Sequence, residues 1–279
     1  MTVAALLALA VVGFAVGFTA GLIGVGGGVL IVPFLYFFYG HAAWSGVLFP
    51  DSLHTTVAHA TSLFIIVPTA IAGTITYTRA GLVEWRAVIP IAAFSTLAAA
   101  GGALLAIRIP GEYLKVGFGV FLLFTAAQLL RRRGHGADGP LRLSMAVTSM
   151  TGVLAGVLAS LLGVGGGLVV IPLLLNVVRL NVERVAATSL AIVVVAATSG
   201  TLTYMVAGAG LPDLPPGSLG FVHVAAALPM LPGAMIAVRW GARTNQRMEA
   251  RRLRQLFALF FAVLGARLVL TNLGPLLQL

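Results

Sequence analysis

Ile23-Gly24-Val25-Gly26-Gly27-Gly28-Val29-Leu30-Ile31-Val32-Pro33 decides how this chain is read. It returns almost unchanged as Leu162-Gly163-Val164-Gly165-Gly166-Gly167-Leu168-Val169-Val170-Ile171-Pro172. Each copy lies inside a long apolar run. Glycine in a helix interior costs about 1 kcal/mol relative to alanine, so this density of glycine predicts a broken helix. In lipid, a break exposes N–H and C=O groups that hydrocarbon cannot satisfy. It survives only where protein encloses it or where it lines a cavity. In transporters, the positive end of a half-helix at such a break faces an anionic ligand. Gly26, Gly27, Gly28, Gly165, Gly166 and Gly167 are therefore the first candidate substrate-binding residues, through their backbone N–H groups.

The surrounding composition supports a membrane reading. Of 279 residues, 59% are hydrophobic and only 9% charged, which belongs to a polytopic membrane protein. Apart from histidines, Asp51 is the single charged residue in 1–78. The net charge of +10 comes from arginines beside apolar segments, the usual topology signal, and nucleic acid is not expected as a partner. The chain has no cysteine, which excludes disulfides, thiolate metal sites and cysteine-based sulfur relays. Residues 1–20 lack a basic leading region and read as a first span, not a cleaved signal.

Apolar segments are expected at 2–22, 28–39, 56–78, 86–107, 113–130, 143–162, 168–178, 185–206, 219–238 and 253–272. As helices, 28–39 and 168–178 reach only ~16–18 Å. That is short of the roughly 30 Å hydrocarbon core, so they read as half-helices. Residues 40–55, with His41, Trp44, Pro50, Asp51 and His54, suit an interfacial segment. An internal repeat runs through the chain. Gly13, Gly17 and Gly21 match Gly152, Gly156 and Ser160. Thr61-Ser62-Leu63 matches Thr188-Ser189-Leu190, Gly73–Tyr77 matches Gly200–Tyr204, and Gly102–Arg108 matches Gly233–Arg239. The domains are a first transmembrane repeat over 1–130, a basic cytoplasmic linker over 131–142 and a second repeat over 143–279. Placing Arg131, Arg132, Arg133 and Arg142 in the cytoplasm, together with the arginines of 239–254, requires an odd number of crossings per repeat. The fold class expected is an all-α membrane protein of two inverted-topology repeats, five segments each, with both termini outside.

A nucleotide-binding loop is excluded, because Val29 and Leu168 stand where Lys-Ser/Thr would follow the glycines. The spaced series Gly13, Gly17, Gly21 and its match fit close helix packing instead. Thr61, Ser62, Thr188 and Ser189 offer hydroxyl donors to a substrate. They could equally bond their own helix backbone, or cap the start of a half-helix. Thr76, Tyr77, Thr203 and Tyr204 lie near expected span ends, where tyrosine anchors at the interface. All seven acids fall in or beside loops, which supports neither a buried carboxylate relay nor a metal cage. His59 and Arg267 are left as candidates for a charge or proton role, against hydrogen bonding for His59 and snorkelling for Arg267. No metal site, cofactor or catalytic constellation is expected.

The doubled glycine motif, the Ala-Thr-Ser-Leu elements and the Gly-Thr-x-Thr-Tyr elements resemble the TauE/SafE family of bacterial membrane proteins, also called sulfite exporters. The resemblance covers nearly the whole chain. It implies transport of small sulfur-containing anions, such as sulfite, sulfoacetate or related organosulfonates, across the cytoplasmic (inner) membrane. The expected function is a secondary transporter acting as an exporter, with substrate bound near midplane between the repeats. A passive anion channel and a membrane scaffold without transport are the alternatives. The expected partners are a small sulfur-containing anion and membrane lipid, and a homo-oligomer is compatible with the sequence.

Overall fold

A computed structural model describes residues 2–131, 141–246 and 250–276. The helices are α1 (Val3–Ile23), α2 (Gly28–Gly40), α3 (Ala42–Ser45), α4 (Asp51–Arg79), α5 (Trp85–Arg108) and α6 (Gly111–Arg131). They continue with α7 (Met145–Leu161), α8 (Gly167–Asn176), α9 (Val182–Ala207), α10 (Val224–Ala227), α11 (Met230–Asn245) and α12 (Ala250–Leu276). A two-residue hairpin pairs β1 (Ser218–Leu219) with β2 (Val222–His223). Most of the linker expected over 131–142 lies outside the described residues. By length and composition, α1, α4, α5 and the Glu183–Ala207 part of α9 are long and apolar enough to cross a membrane. Helices α2 and α8, at 13 and 10 residues, are too short to do so upright.

Two expectations need correction. The segment expected over 219–238 is not one helix. Gly220, at φ +55°, makes the turn between the two short strands. Pro229 then precedes α11, which runs on to Asn245. Thr61-Ser62 and Thr188-Ser189 do not start half-helices, because both pairs lie inside the continuous helices α4 and α9. Residues 40–55 hold the short α3 and an extended stretch, and α4 begins at Asp51, five positions before the expected 56. Pro50 is the residue before its first turn, and Asp51 sits where the helix dipole favours an acid.

Packing is reciprocal between the two halves. Helix α1 lies against α11 and α7 against α5, while α4 meets α9 and α6 meets α12. The spaced glycines account for the closest approaches. A β-carbon at Gly13, Gly17 or Gly21 would lie 2.3, 2.1 and 2.1 Å from the carbonyl oxygens of Met230, Ala234 and Val238. In the other half, one at Gly152 or Gly156 would lie 2.4 Å from those of Ile91 and Ser95. These are van der Waals contacts between backbones, the usual basis of helix association in lipid. Ser160 replaces the third glycine of the series, and there Gly200 of α9 provides the room.

Candidate functional site

Both glycine stretches break the chain as expected. Gly24, Gly26 and Gly27 have φ of +81°, +84° and +85°, and Gly163, Gly165 and Gly166 have +66°, +73° and +82°. A β-carbon disfavours this left-handed region, which is why glycine occupies these positions. Gly27 and Gly166 are the N-cap residues of α2 and α8, and neither cap has a side chain to offer. The breaks also pack on each other. A β-carbon at Gly28 would lie 2.5 Å from Val164 Cα, and one at Gly167 would lie 2.5 Å from the Val25 carbonyl oxygen. The starts of α2 and α8 thus meet at one place in the interior.

The polar groups there are unequally satisfied. On the carbonyl side, the end of α1 is well capped. Gly24 N–H donates to the Ala20 carbonyl (2.9 Å), the Tyr77 hydroxyl to Gly21 (2.7 Å) and Asn245 Nδ2 to Leu22 (2.6 Å). The end of α7 is treated alike. Val164 N–H donates to the Ala159 carbonyl (3.1 Å), the Tyr204 hydroxyl to Ser160 (2.9 Å) and Ser62 Oγ to Gly163 (2.7 Å). On the N–H side, Gly26, Gly27, Gly28 and Val29 donate to no acceptor among the described residues, and neither do Gly166, Gly167 and Leu168. These are the unpaired donors that open a helix, where its dipole is positive. An unpaired buried N–H costs about 1–3 kcal/mol, so an anion that accepts from several of them is strongly favoured.

Side chains cover this donor cluster on two sides. Ile66 of α4 and Val193 of α9 both touch the positions of Gly26 and Gly165, at 3.0–3.3 Å from the β-carbons those glycines lack. On the other side, Val25, Val29, Val164 and Leu168 share an apolar cluster with Phe118, Leu122 and Phe261 of α6 and α12. A cleft of about 10 Å³ beside Gly27, lined in part by Thr19, Val29 and Phe261, has room for about one water. In this conformation the breaks are therefore enclosed by side chains of α4, α6, α9 and α12.

The other candidates fall into separate groups. Ser62 reaches the second break directly, through Gly163. Ser189, its match, is fully buried, and its hydroxyl has no hydrogen-bond partner among the described residues. Thr61 and Thr188 serve as loop anchors. Thr61 Oγ1 accepts from His223 N–H (3.0 Å) and Thr188 Oγ1 from Glu84 N–H (3.1 Å). His59 is buried with its backbone against Gly163, and its Nε2 is hydrogen-bonded to the Tyr36 hydroxyl. Lys115 Nζ lies 5.7 Å from the centre of that tyrosine ring. Arg267 is exposed on α12, outside the apolar cluster that encloses the breaks. The acids that are described, Asp51, Glu84, Glu112, Glu183 and Asp213, stand at helix starts or in loops.

Sequence reasoning missed the tyrosines. Tyr77 and Tyr204 are fully buried carbonyl caps, not interfacial anchors. Their identical placement in both repeats was the available signal. The bridging pair Ile66 and Val193 carried no signal, since isoleucine and valine are ordinary in any apolar helix.

A family model described as sulfite exporter TauE/SafE matches residues 9–268. Among curated proteins, the chain is similar to a probable membrane transporter protein of Methanocaldococcus jannaschii, 27% identical over 263 residues, covering 94% of each chain. It is also similar to one of Haemophilus influenzae, 27% identical over 259 residues and covering 93% of this chain and 96% of the relative. The probable membrane transporter protein YunE of Bacillus subtilis is 24% identical over 279 aligned positions, covering 94% and 96%. No solved structure matches. These relatives are transporters and not enzymes, and the match from the first helix to the last places this chain in the TauE/SafE sulfite exporter family.

Proposed function

We propose that this protein is a secondary transporter that exports small sulfur-containing anions, sulfite or organosulfonates, across the cytoplasmic membrane. The observation that carries the reading is the polarity of the two breaks. The carbonyls of Gly21, Leu22, Ser160 and Gly163 are capped by Tyr77, Asn245, Tyr204 and Ser62, while the helix-opening N–H groups of Gly26–Val29 and Gly166–Leu168 are unpaired. A site built this way suits an oxyanion and repels a cation. The family description supplies the sulfur chemistry.

The reciprocal packing of the halves supports two inverted repeats of five segments, with both termini outside. Rocking of one half against the other would carry Ile66 away from Gly165 and Val193 away from Gly26 and expose the donors to one side at a time. Ser62 and Ser189 would then turn toward the anion, and Thr61 and Thr188 would hold the loops that close each face. His59 is the candidate proton carrier. It backs onto the second break, and Ala186 occupies the corresponding position beside Gly24.

Proteoliposomes loaded with radiolabelled sulfite test the proposal. Saturable efflux, competed by sulfoacetate, is expected. His59→Gln should keep sulfite binding and lose the acceleration by an imposed pH gradient. Flux that rises linearly without saturating would instead identify a channel. No flux for any sulfur oxyanion would remove the transport assignment.

A further inference from the structure

Between α4 and α11 the protein has a cavity of about 500 Å³, lined in part by Ala72, Arg79, Arg239, Arg243 and Gln246. We propose that this cavity is an oxyanion capture site that loads the transporter from one side of the membrane. The inference rests on the transport reading above and adds a second site to it.

Three features carry it. The lining holds three arginines and no acid, and none of the three arginines is ion-paired among the described residues. Guanidinium groups present several donors in a planar fork that matches an oxyanion. The cavity also has depth. From Arg79 back to Ala72 is two turns of α4, and from Arg239 to Gln246 is a similar length along α11, about 10 Å each. At its floor, Ala72 packs in a small cluster with Ala20 and Val238. Ala20 lies one turn before Gly24, where α1 ends, so the floor abuts the helix that leads into the first break. Finally, the opposite end lacks the charge. Repeat register puts Val206 and Arg108 where this end has Arg79 and Arg239, and α5 ends at Arg108, before any counterpart of Arg243. One end of the matched helix pair therefore carries three cations, and its counterpart carries one.

Positive potential in a walled cavity raises the local anion concentration and the capture rate. Arginine-rich ends of membrane segments face the cytoplasm, so this mouth would collect anions from inside, as export requires. Arginines placed only to set topology would not need to converge on one cavity. The phosphate of an anionic lipid has the same chemistry, but a free oxyanion is the occupant assigned here. Its assignment is supported by the floor residue Ala72 packing on Ala20 of α1, the helix that ends at the first break.

The test uses full-length protein in phosphatidylcholine nanodiscs, with sulfite and sulfate as probes in titration calorimetry. Arg79→Gln, Arg239→Gln and Arg243→Gln should each weaken binding about three- to tenfold, and raised salt should weaken the wild type further. Arg243→Lys should recover part of the loss, which separates charge from folding. In proteoliposomes, the same variants should raise the half-saturating sulfite concentration from the arginine-rich side and leave the maximal rate unchanged. Wild-type affinity and wild-type half-saturation in all three variants would overturn the capture site while leaving transport intact. Arginine-dependent binding with no flux in any protein would keep the site and remove the transport reading. If the variants lose only bound phosphatidylglycerol in native mass spectra, the site is a lipid headgroup site and the assignment fails.

Discussion

Replacing Gly166 by alanine tests whether the break is a conformational requirement and a binding site at once. The residue sits at φ +82°, where a β-carbon costs about 1–2 kcal/mol of backbone energy. That β-carbon would also stand 2.8 Å from the Ala155 carbonyl oxygen and 3.1 Å from Ala159 Cβ. Crowding of this kind in a packed interior adds about 1–3 kcal/mol, so a total of roughly 2–5 kcal/mol is expected. Gly27→Ala should cost less at the same φ class. Its nearest neighbour, at 2.6 Å, is a γ-methyl of Val16, which yields more readily than backbone. Two controls calibrate the scale. Gly81 has φ +71° and nothing within 4 Å, so alanine there reports the backbone term alone. Gly101 is helical with nothing within 4 Å, and alanine should stabilise it by up to about 1 kcal/mol. Thermal unfolding of monodisperse protein in detergent should therefore rank Gly101→Ala, wild type, Gly81→Ala, Gly27→Ala and Gly166→Ala from most to least stable. Sulfite titrations on the same samples should show at least tenfold weaker binding for the last two only. If Gly166→Ala melts with Gly81→Ala, the backbone reasoning is wrong. If it binds sulfite like wild type, the breaks are packing features and not the anion site.

The remaining expectations are simpler to state. Tyr77→Phe leaves the Gly21 carbonyl without its donor and should cost about 1–3 kcal/mol in thermal unfolding. Tyr204→Phe should cost less, because Gly163 N–H also lies 3.4 Å from the Ser160 carbonyl. Since the chain has no cysteine, single cysteines placed at Ala137 (outside the described residues) and Thr244 should react with an impermeant thiol reagent only from the cytoplasm, and one at Asp213 only from outside. Reaction of positions 137 and 213 from the same side would end the five-plus-five topology. Neutralising any one of the described carboxylates should leave substantial flux in proteoliposomes; an acid whose loss abolishes flux in folded protein would contradict this.

Much of this architecture is legible in the sequence because lipid leaves a helix few choices. The clustered glycines predict breaks, and six of the eight glycines at the two breaks take left-handed φ. The spaced glycines predict packing, and their missing β-carbons are filled by neighbouring backbone. Both patterns are local, since each follows from what one residue type does to its own chain. What escaped is tertiary. The Tyr77 hydroxyl finds its acceptor 56 positions away, and Ser62 finds its acceptor 101 positions away. Neither pairing leaves a periodicity to read. The hairpin at 218–223 escaped for a different reason: its apolar residues match those of a helix, and only Gly217 and Gly220 mark the turn. Thr61 and Thr188 were legible as an equivalent pair but not as loop anchors, because the loops they hold are unlike in sequence and length.

On the proposed reading, charge selection at the breaks follows from which backbone groups are left unpaired. A broken helix exposes both polarities: carbonyls where the first part ends and N–H groups where the next begins. If both were unpaired, the site would accept cation and anion alike. Here four carbonyls of the first set, those of Gly21, Leu22, Ser160 and Gly163, are capped by phenol, amide and serine side chains drawn from α4, α9 and α11. What is left open is a convergence of helix N-termini, positive without carrying a net charge. An arginine at the same depth would bind an anion more tightly but would carry its own desolvation penalty each time the site emptied. Backbone donors avoid that penalty and still favour an oxyanion, which suits a protein that must release its substrate as well as bind it. The arginines instead line the α4–α11 cavity and are exposed. On this reading, attraction by the cavity arginines and neutral dipoles in the interior are separate devices, and neither needs an intramembrane carboxylate to pair it.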